Sequence, residues 1–288
     1  MDKKRGFRLL FAADLHGNIS QYTRVFRFAS ANKYDALVLG GDLCTKSVFA
    51  GSMDAQRDFL KTYLIPKLKE IKSSANAPKV YIIPGNDDWA GNMDVLVDND
   101  GTALNLIQNW RASLNQDFDI IGYPYIPLTP FRNKDWEKWD LASLNDIELA
   151  RAVLQHGVTT WGQRYEPKRF NPEDRHNCIE NDMNELFIKT NPKKTIFVFH
   201  APPFNTNLDM LYSRDHIGSL GIRMAIERNQ PFLTLHAHIH ETVDVSGEFI
   251  DKINNTICAA VGNHNNEERP HVLEIILPQA EIRRIRLE

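Results

Sequence analysis

The stretch Phe7–Gly17, FRLLFAADLHG, decides how the chain is to be read. Its apolar run is long enough for one buried strand, and it breaks off into Asp14 and His16, two side chains that bind metals or cap helices. On its own the pair reads equally well as a helix cap. The next apolar runs end the same way. Asp35–Asp42, DALVLGGD, closes on Asp42, and Lys79–Asp87, KVYIIPGND, closes on Asn86 and Asp87. Helical spacing over Ile19–Ala31 (Tyr22, Val25, Phe26, Ala29) and over Met53–Lys72 separates the runs. Strands alternating with helices predict a parallel sheet with right-handed crossovers, and parallel strands bring their C-terminal ends to one edge. The polar residues are thereby collected in one place.

Composition sets the class. Of 288 residues, 42% are hydrophobic and 25% charged, with a formal net charge of -3, which is ordinary for a globular domain. No basic excess draws the chain to nucleic acid or to anionic membrane. Cys44, Cys178 and Cys258 are scattered and odd in number, which suggests a reducing compartment and no disulfide framework. The basic start MDKKR precedes an apolar stretch too short for a signal peptide or a membrane span, so a cytoplasmic protein is expected.

Farther along, Thr102–Leu114 reads as a helix and Phe118–Ile126, FDIIGYPYI, as a strand. A polar, aromatic insertion of approximately residues 123–192 follows, with helices expected near Leu144–Gln155 and Cys178–Thr190. Trp136, Trp139, Trp161, Tyr123, Tyr125 and Phe131 crowd it, as packing onto the sheet or as a stacking surface for an aryl group. Regularity returns with the strand KTIFVFH, a helix over Leu220–Arg228 and the strand PFLTLHAHIH. The tail reads as three more strands, TICAAVGN, HVLEIIL and EIRRIRLE, in antiparallel order, with Arg283, Arg284 and Arg286 on a solvated edge. No repeat or linker interrupts the chain, and residues 1–288 are expected to form a single domain.

HAHIH is the least dismissible cluster, since an extended chain would put His236, His238 and His240 on one face. With "FHAPP" at Phe199–Pro203 it completes an ordered series: D-x-H, G-D, G-N-D, H, H-x-H, each after a strand. At these residues the sequence resembles the calcineurin-like metallophosphoesterase superfamily, whose series is D-x-H, G-D, G-N-H-[DE], H, G-H-x-H. The approach GIRMAIERNQPFLTLHAHIHET adds to the likeness, which covers nearly the whole chain.

The resemblance implies a four-layer αββα sandwich with mixed sheets and a dinuclear metal centre. Carried over motif by motif, Asp14, His16 and His240 would hold one ion, and Asn86, His200 and His238 the other, with Asp42 as the bridge. Carboxylate, imidazole and carboxamide ligands without thiolate suit manganese foremost, with iron, zinc or nickel as alternatives. The reaction implied is hydrolysis of a small phosphate ester by a hydroxide bridging the two ions. Asp87 stands where the family writes His. An ionised aspartate there disfavours a substrate dianion and points to a phosphodiesterase; alternatively Asp87 is protonated beside Asp88 and serves as the acid, or His216 in SRDHIGSLG replaces the missing histidine. Asp88 either orients Asn86 or caps the following turn. Asn86 and Asn263 are candidates for touching the phosphate, with an ordinary turn as the alternative for Gly262–His264. Ala237 replaces a family glycine, and Cys44 reads as packing. A phosphomonoesterase and a metal-binding scaffold without catalysis are the competing functions.

Overall fold

The computed structural model describes residues 6–48, 51–74, 77–151 and 153–288. The basic start at residues 1–5 and Ala152, inside the expected Leu144–Gln155 helix, lie outside that set. In chain order the first part runs β1 (Phe7–Ala12), α1 (Ile19–Ala31), β2 (Ala36–Gly40), α2 (Ser52–Phe59), α3 (Ile65–Lys72), β3 (Lys79–Ile83) and α4 (Met93–Val97). The middle part carries β4 (Asn105–Leu106), β5 (Ala112–Ser113), β6 (Asp119–Tyr123), β7 (Ile126–Pro127), β8 (Glu137–Lys138), α5 (Asp146–Ala150), β9 (His156–Trp161), β10 (Arg164–Arg169) and α6 (Ile179–Ile188). The last part holds β11 (Thr195–Phe199), α7 (Leu220–Asn229), β12 (Leu233–His236), α8 (Thr242–Ser246), β13 (Ile250–Ile253), β14 (Thr256–Ala260), β15 (His271–Leu277) and β16 (Glu281–Arg286).

Two mixed six-stranded sheets result, in the orders β16-β15-β1-β2-β3-β4 and β13-β14-β12-β11-β6-β5. Strands such as β2, ALVLG, are buried along their whole length, which is why they read as unbroken apolar runs. Alternation sends their side chains to opposite faces. Leu9, Phe11, Val38, Tyr81 and Ile83 meet Ile120, Ile196, Val198 and Leu235 between the sheets. Leu10, Leu37, Leu39 and Ile82 point outward and pack on Tyr22, Val25 and Phe26 of α1 and on Leu68 of α3. Behind the second sheet, Phe197 and Phe199 pack on Met183 and Phe187 of α6 and Ile222 and Ile226 of α7. The four layers are therefore α, β, β and α, as the sequence led one to expect. No helix among the described residues is long and apolar enough to cross a membrane.

Several local expectations are corrected. Thr102–Leu114 forms turns and the two short strands β4 and β5, because the Asp100 carboxylate captures the Leu106 N–H at 2.8 Å and Ile107 N–H bonds Ile82 O instead of a helical partner. The helix expected near Leu144–Gln155 is the single short α5, ended by extended backbone at Arg151; from His156 the chain enters an antiparallel hairpin, β9–β10, that composition did not disclose. The tail is only partly antiparallel: β14 runs parallel to β12, while β15 pairs antiparallel with β1 and β16. The long helix over Met53–Lys72 holds, but with a π turn at Leu60–Leu64 just before Pro66. Proline lacks an N–H and collides with the carbonyl four residues back, and widening the turn relieves both. Trp136, Trp139 and Tyr123 are buried packing residues, whereas Trp161 and Phe131 are exposed.

Candidate metal centre and substrate cavity

The C-terminal ends of β1, β2 and β3 meet those of β11 and β12. Past β1 and β2 the two loops continue to pair: Asp14 N–H bonds Gly41 O at 3.1 Å and His16 N–H bonds Asp42 O at 2.9 Å. To aim their side chains inward, Asp14, His16, Asp42 and His238 adopt left-handed backbone, with φ of 55°, 42°, 51° and 71°. Such angles are costly outside glycine and cluster at sites where geometry is over-determined. Gly85 is required by close approach, since a Cβ there would collide with Asp42 and the His200 ring.

Asp14, His16, Asp42 and His240 each offer a ligand-type atom, and these atoms lie within 4.8 Å of one another. His16 Nε2 is 3.1 Å from His240 Nε2 and 3.5 Å from Asp42 Oδ2. On the other side of Asp42, Oδ1 is 3.5 Å from His200 Nε2, which is 3.0 Å from Asn86 Oδ1, and the rings of His200 and His238 are 5.4 Å apart. His238 contributes its backbone N–H to Asp14, at 3.1 Å from Oδ2.

The electrostatics are those of a cation site. Asp14 and Asp42 are buried, and among the described residues neither is ion-paired with a lysine or arginine. Burial, reinforced by the Asp42 charge and only partly offset by His200, pushes the Asp14 carboxyl up to about 8. Burial opposes charge on His200 as well, but Asp42 and Asp14 outweigh it and lift the ring to about 9. The metal-free ring then donates Nδ1–H to Gly40 O, 2.9 Å away, and Nε2–H toward Asn86 and Asp42. A divalent ion would replace those protons, and the buried Nδ1 of His16, which has no hydrogen-bond partner, marks a ring held by packing for its other nitrogen.

A cavity of about 870 Å³ opens over these residues. Asp42, Asn86, Asp87, His238 and His240 form its floor, with Lys46, Arg151, Arg214 and His216 on its walls.

Residues 7–242 match the calcineurin-like phosphoesterases. The chain belongs to that family. The calcineurin-like phosphoesterases are metal-dependent hydrolases, and the buried Asp14–His16–Asp42–His240 cluster is the candidate metal-binding site here. An uncharacterized protein of Methanocaldococcus jannaschii, MJ1162, is 26% identical over 255 residues, spanning 87% of this chain and 85% of that one. The crystal structure of TT1561 of Thermus thermophilus superposes with a TM-score of 0.57 at 13% identity, covering 98% of this chain and 100% of that chain. Another solved chain reaches a TM-score of 0.64 at 14% identity, with coverage of 98% and 100%. At such identities these structures speak for the fold alone.

Within this calcineurin-like phosphoesterase the remaining sequence candidates fall in distinct places. Asp87 lines the cavity; its Oδ1 accepts from Ser47 Oγ at 3.0 Å and its Oδ2 is 3.6 Å from His16 Nδ1. Burial and the Asp42 charge raise the Asp87 carboxyl above its ordinary range. Asp88 does not cap the following turn; it braces the turn that carries Asn86. Its carboxylate accepts the N–H groups of Leu43, Cys44 and Gly85, at 3.0, 2.8 and 2.8 Å, and so ties the β2 loop to the β3 loop. His216 is on the cavity wall, its Nδ1 2.7 Å from the buried Asp209 carboxylate. Asn263 is fully buried and does not line the cavity. Its amide donates to Ala13 O, Asp14 O and Gln21 Oε1, and its Oδ1 accepts His271 N–H, so it braces the Asp14 loop.

HAHIH is not one extended face. β12 ends at His236, which turns away from the site to Thr234 Oγ1 and Ala201 O, and the left-handed His238 redirects the chain so that His238 and His240 reach the cavity. Ala237 has ordinary φ, and the left-handed angle falls one residue later. Arg284 is not a solvated edge residue; it bonds Val261 O and Gly262 O. Sequence reasoning missed Asn133, whose partner Asn86 is 47 residues away, and Asp209, which meets His216 across an irregular loop; neither sits in a spaced motif.

Proposed function

We propose that this protein hydrolyses phosphoric esters with two divalent ions, manganese foremost, and takes diesters in preference to monoesters. The observation that carries the two-ion reading is the position of Asp42, whose two carboxylate oxygens each lie 3.5 Å from a different imidazole, His16 and His200. Asp14, His16 and His240 would hold one ion and Asn86, His200 and His238 the other, with Asp42 shared. The same donors accept iron, zinc or nickel. Bound there, such ions supply Lewis acidity and a hydroxide nucleophile near neutral pH.

The chain's own residues account for the rest. Asn86 turns Oδ1 toward His200, which leaves its N–H₂ group for a phosphoryl oxygen. Asp87 sits at the cavity floor, and a carboxylate about 5 Å from the phosphate costs roughly 3 kcal/mol per substrate charge at an effective dielectric near 20. A monoester dianion feels that penalty twice, a diester monoanion once. His216 protonates the leaving oxygen in this reading. The donor in this step is the imidazolium: its second ring nitrogen gives the proton to the leaving oxygen, and the ring is left neutral with its remaining N–H at Nδ1 held by the Asp209 carboxylate.

The test is a pair of initial rates, on bis-p-nitrophenyl phosphate and p-nitrophenyl phosphate, with chelated protein reloaded with Mn²⁺. A diester rate at least about tenfold above the monoester rate is expected from the charge term. A faster monoester overturns the diester preference. No turnover of either, with two ions bound per chain, makes the protein a metal-binding scaffold.

A further inference from the structure

The cavity is much larger than a phosphate group needs, and one stretch of its wall is apolar. Leu128, Phe131 and Ile147 come from the insertion, and Phe204, Leu211 and Ile217 from the segment between β11 and α7. Phe131 is 51% exposed, a large apolar surface left open to solvent beside the metal-site floor. Cavities of this size, apolar with a few convergent polar groups, bury most of a bound organic molecule. The charge on the walls narrows its nature. Lys46, Arg151 and Arg214 are balanced by Asp42, Asp87, Asp215 and Glu241, so without bound cations the cavity is not a basic cleft for a polyanion. One anionic group, placed on the metal ions, is what the floor accommodates. The amide inventory narrows it again. Bidentate reading of an adenine edge takes an Asn or Gln side chain, and the single carboxamide among the lining residues is Asn86, which faces His200.

We infer that the substrate is a phosphodiester carrying a hydrocarbon chain, whose phosphate lies over Asp42 and Asn86 and whose chain lies along the aliphatic wall built by Leu128, Ile147 and Leu211. The inference rests on the proposed phosphoester chemistry of the same site and specifies its substrate class. Burial of methylenes supplies the affinity, and the non-directional wall accepts chains of differing length. The insertion thereby acquires a role as one side of the chain's berth.

Binding and turnover test different parts. Methyl, butyl and octyl phosphate are titrated calorimetrically into the full-length Mn²⁺-loaded protein, below the concentration at which the octyl ester aggregates. Each fully buried methylene is worth about fourfold in affinity. Partial burial of the octyl chain gives an expected tightening of about 100-fold from methyl to octyl. Equal affinities across the three overturn the inference, as does adenosine 5′-phosphate binding more tightly than octyl phosphate. In Ile147→Asn and, separately, Leu211→Asn, the dependence on chain length is expected to fall at least about fivefold; an unchanged dependence in both places the chain elsewhere. If chain length matters to binding but p-nitrophenyl diesters are not turned over, the wall stands and the catalytic reading falls.

Discussion

The side-chain amide of Asn133 donates to the backbone carbonyl of Asn86, 2.9 Å away, so a residue of the insertion holds the loop that carries a proposed metal ligand. Its neighbours grip the same loop: Asp135 Oδ2 accepts Ala90 N–H at 2.8 Å, and Trp136 Nε1–H donates to Asp88 O at 2.6 Å. Asn133 and Trp136 are both buried.

Asn133→Ala leaves the Asn86 carbonyl without this partner. A buried acceptor left unsatisfied costs about 1–3 kcal/mol, and a residue supporting a metal ligand is worth about 10–100-fold in metal affinity or activity. Thermal unfolding and Mn²⁺ titration of the variant are expected to show both losses. A fall in melting temperature with unchanged Mn²⁺ affinity would confine Asn133 to a structural role.

Metal loading is expected to release protons. The Asp14 carboxyl, near 8, and the His200 ring, near 9, each hold a proton at pH 7 in the metal-free site, and ligation requires both to leave. Apparent affinity should therefore fall steadily as pH drops below about 8 and level off above about 9. Calorimetry at pH 7 in two buffers of different ionisation enthalpy counts the protons, and a heat independent of buffer would show that the ligands were already deprotonated.

Asp87→His is expected to lower the ratio of diester to monoester turnover, by removing a carboxylate from the cavity floor and restoring the family's residue. The Coulomb term corresponds to roughly 100-fold if fully expressed. An unchanged ratio would mean that Asp87 acts only through its contacts with Ser47 and His16.

Acid destabilisation has an identifiable contributor in His236. The ring is fully buried between Ala201 O and Thr234 Oγ1, and burial, outweighing the carbonyls that favour the charged ring, pushes it down to about 4. Unfolded histidine titrates near 6.5, so between those values the unfolded chain binds more protons than the folded one. The stability contribution is complete above pH 6.5 and is lost as pH falls toward 4. At about 1.4 kcal/mol per pKa unit the whole window is worth roughly 3 kcal/mol. His236→Gln should flatten the acid limb of a melting-temperature profile; an equally steep limb would assign the effect to other groups.

The parts that were legible in the sequence share one physical property. β1, β2 and β3 are buried on both faces, so their apolar runs are continuous and their polar terminations stand out. Local chemistry hid the rest. Asp100 redirected the backbone at Thr102–Leu114, where apolar spacing alone suggested a helix. The β9–β10 hairpin is mostly exposed and carries no alternating pattern to detect. His236, His238 and His240 looked equivalent because the positive φ of His238 leaves no mark on residue spacing. The pairing of His216 with Asp209 crosses an irregular loop, and that of Asn133 with Asn86 spans the fold; neither has a one-dimensional signature.

The grip of the insertion on the Asn86 loop has a thermodynamic corollary. In the proposed reading one polypeptide segment shapes the berth for the substrate and also steadies the backbone that would carry the cations, so the two binding events would share a free-energy reservoir. Linkage is reciprocal: to whatever extent a ligand tightens by ordering that segment, the ions gain the same increment in retention. Exchange of this insertion for one of different shape would change the lifetime of the bound metals along with the choice of ester, so the wall and the floor would drift together under selection.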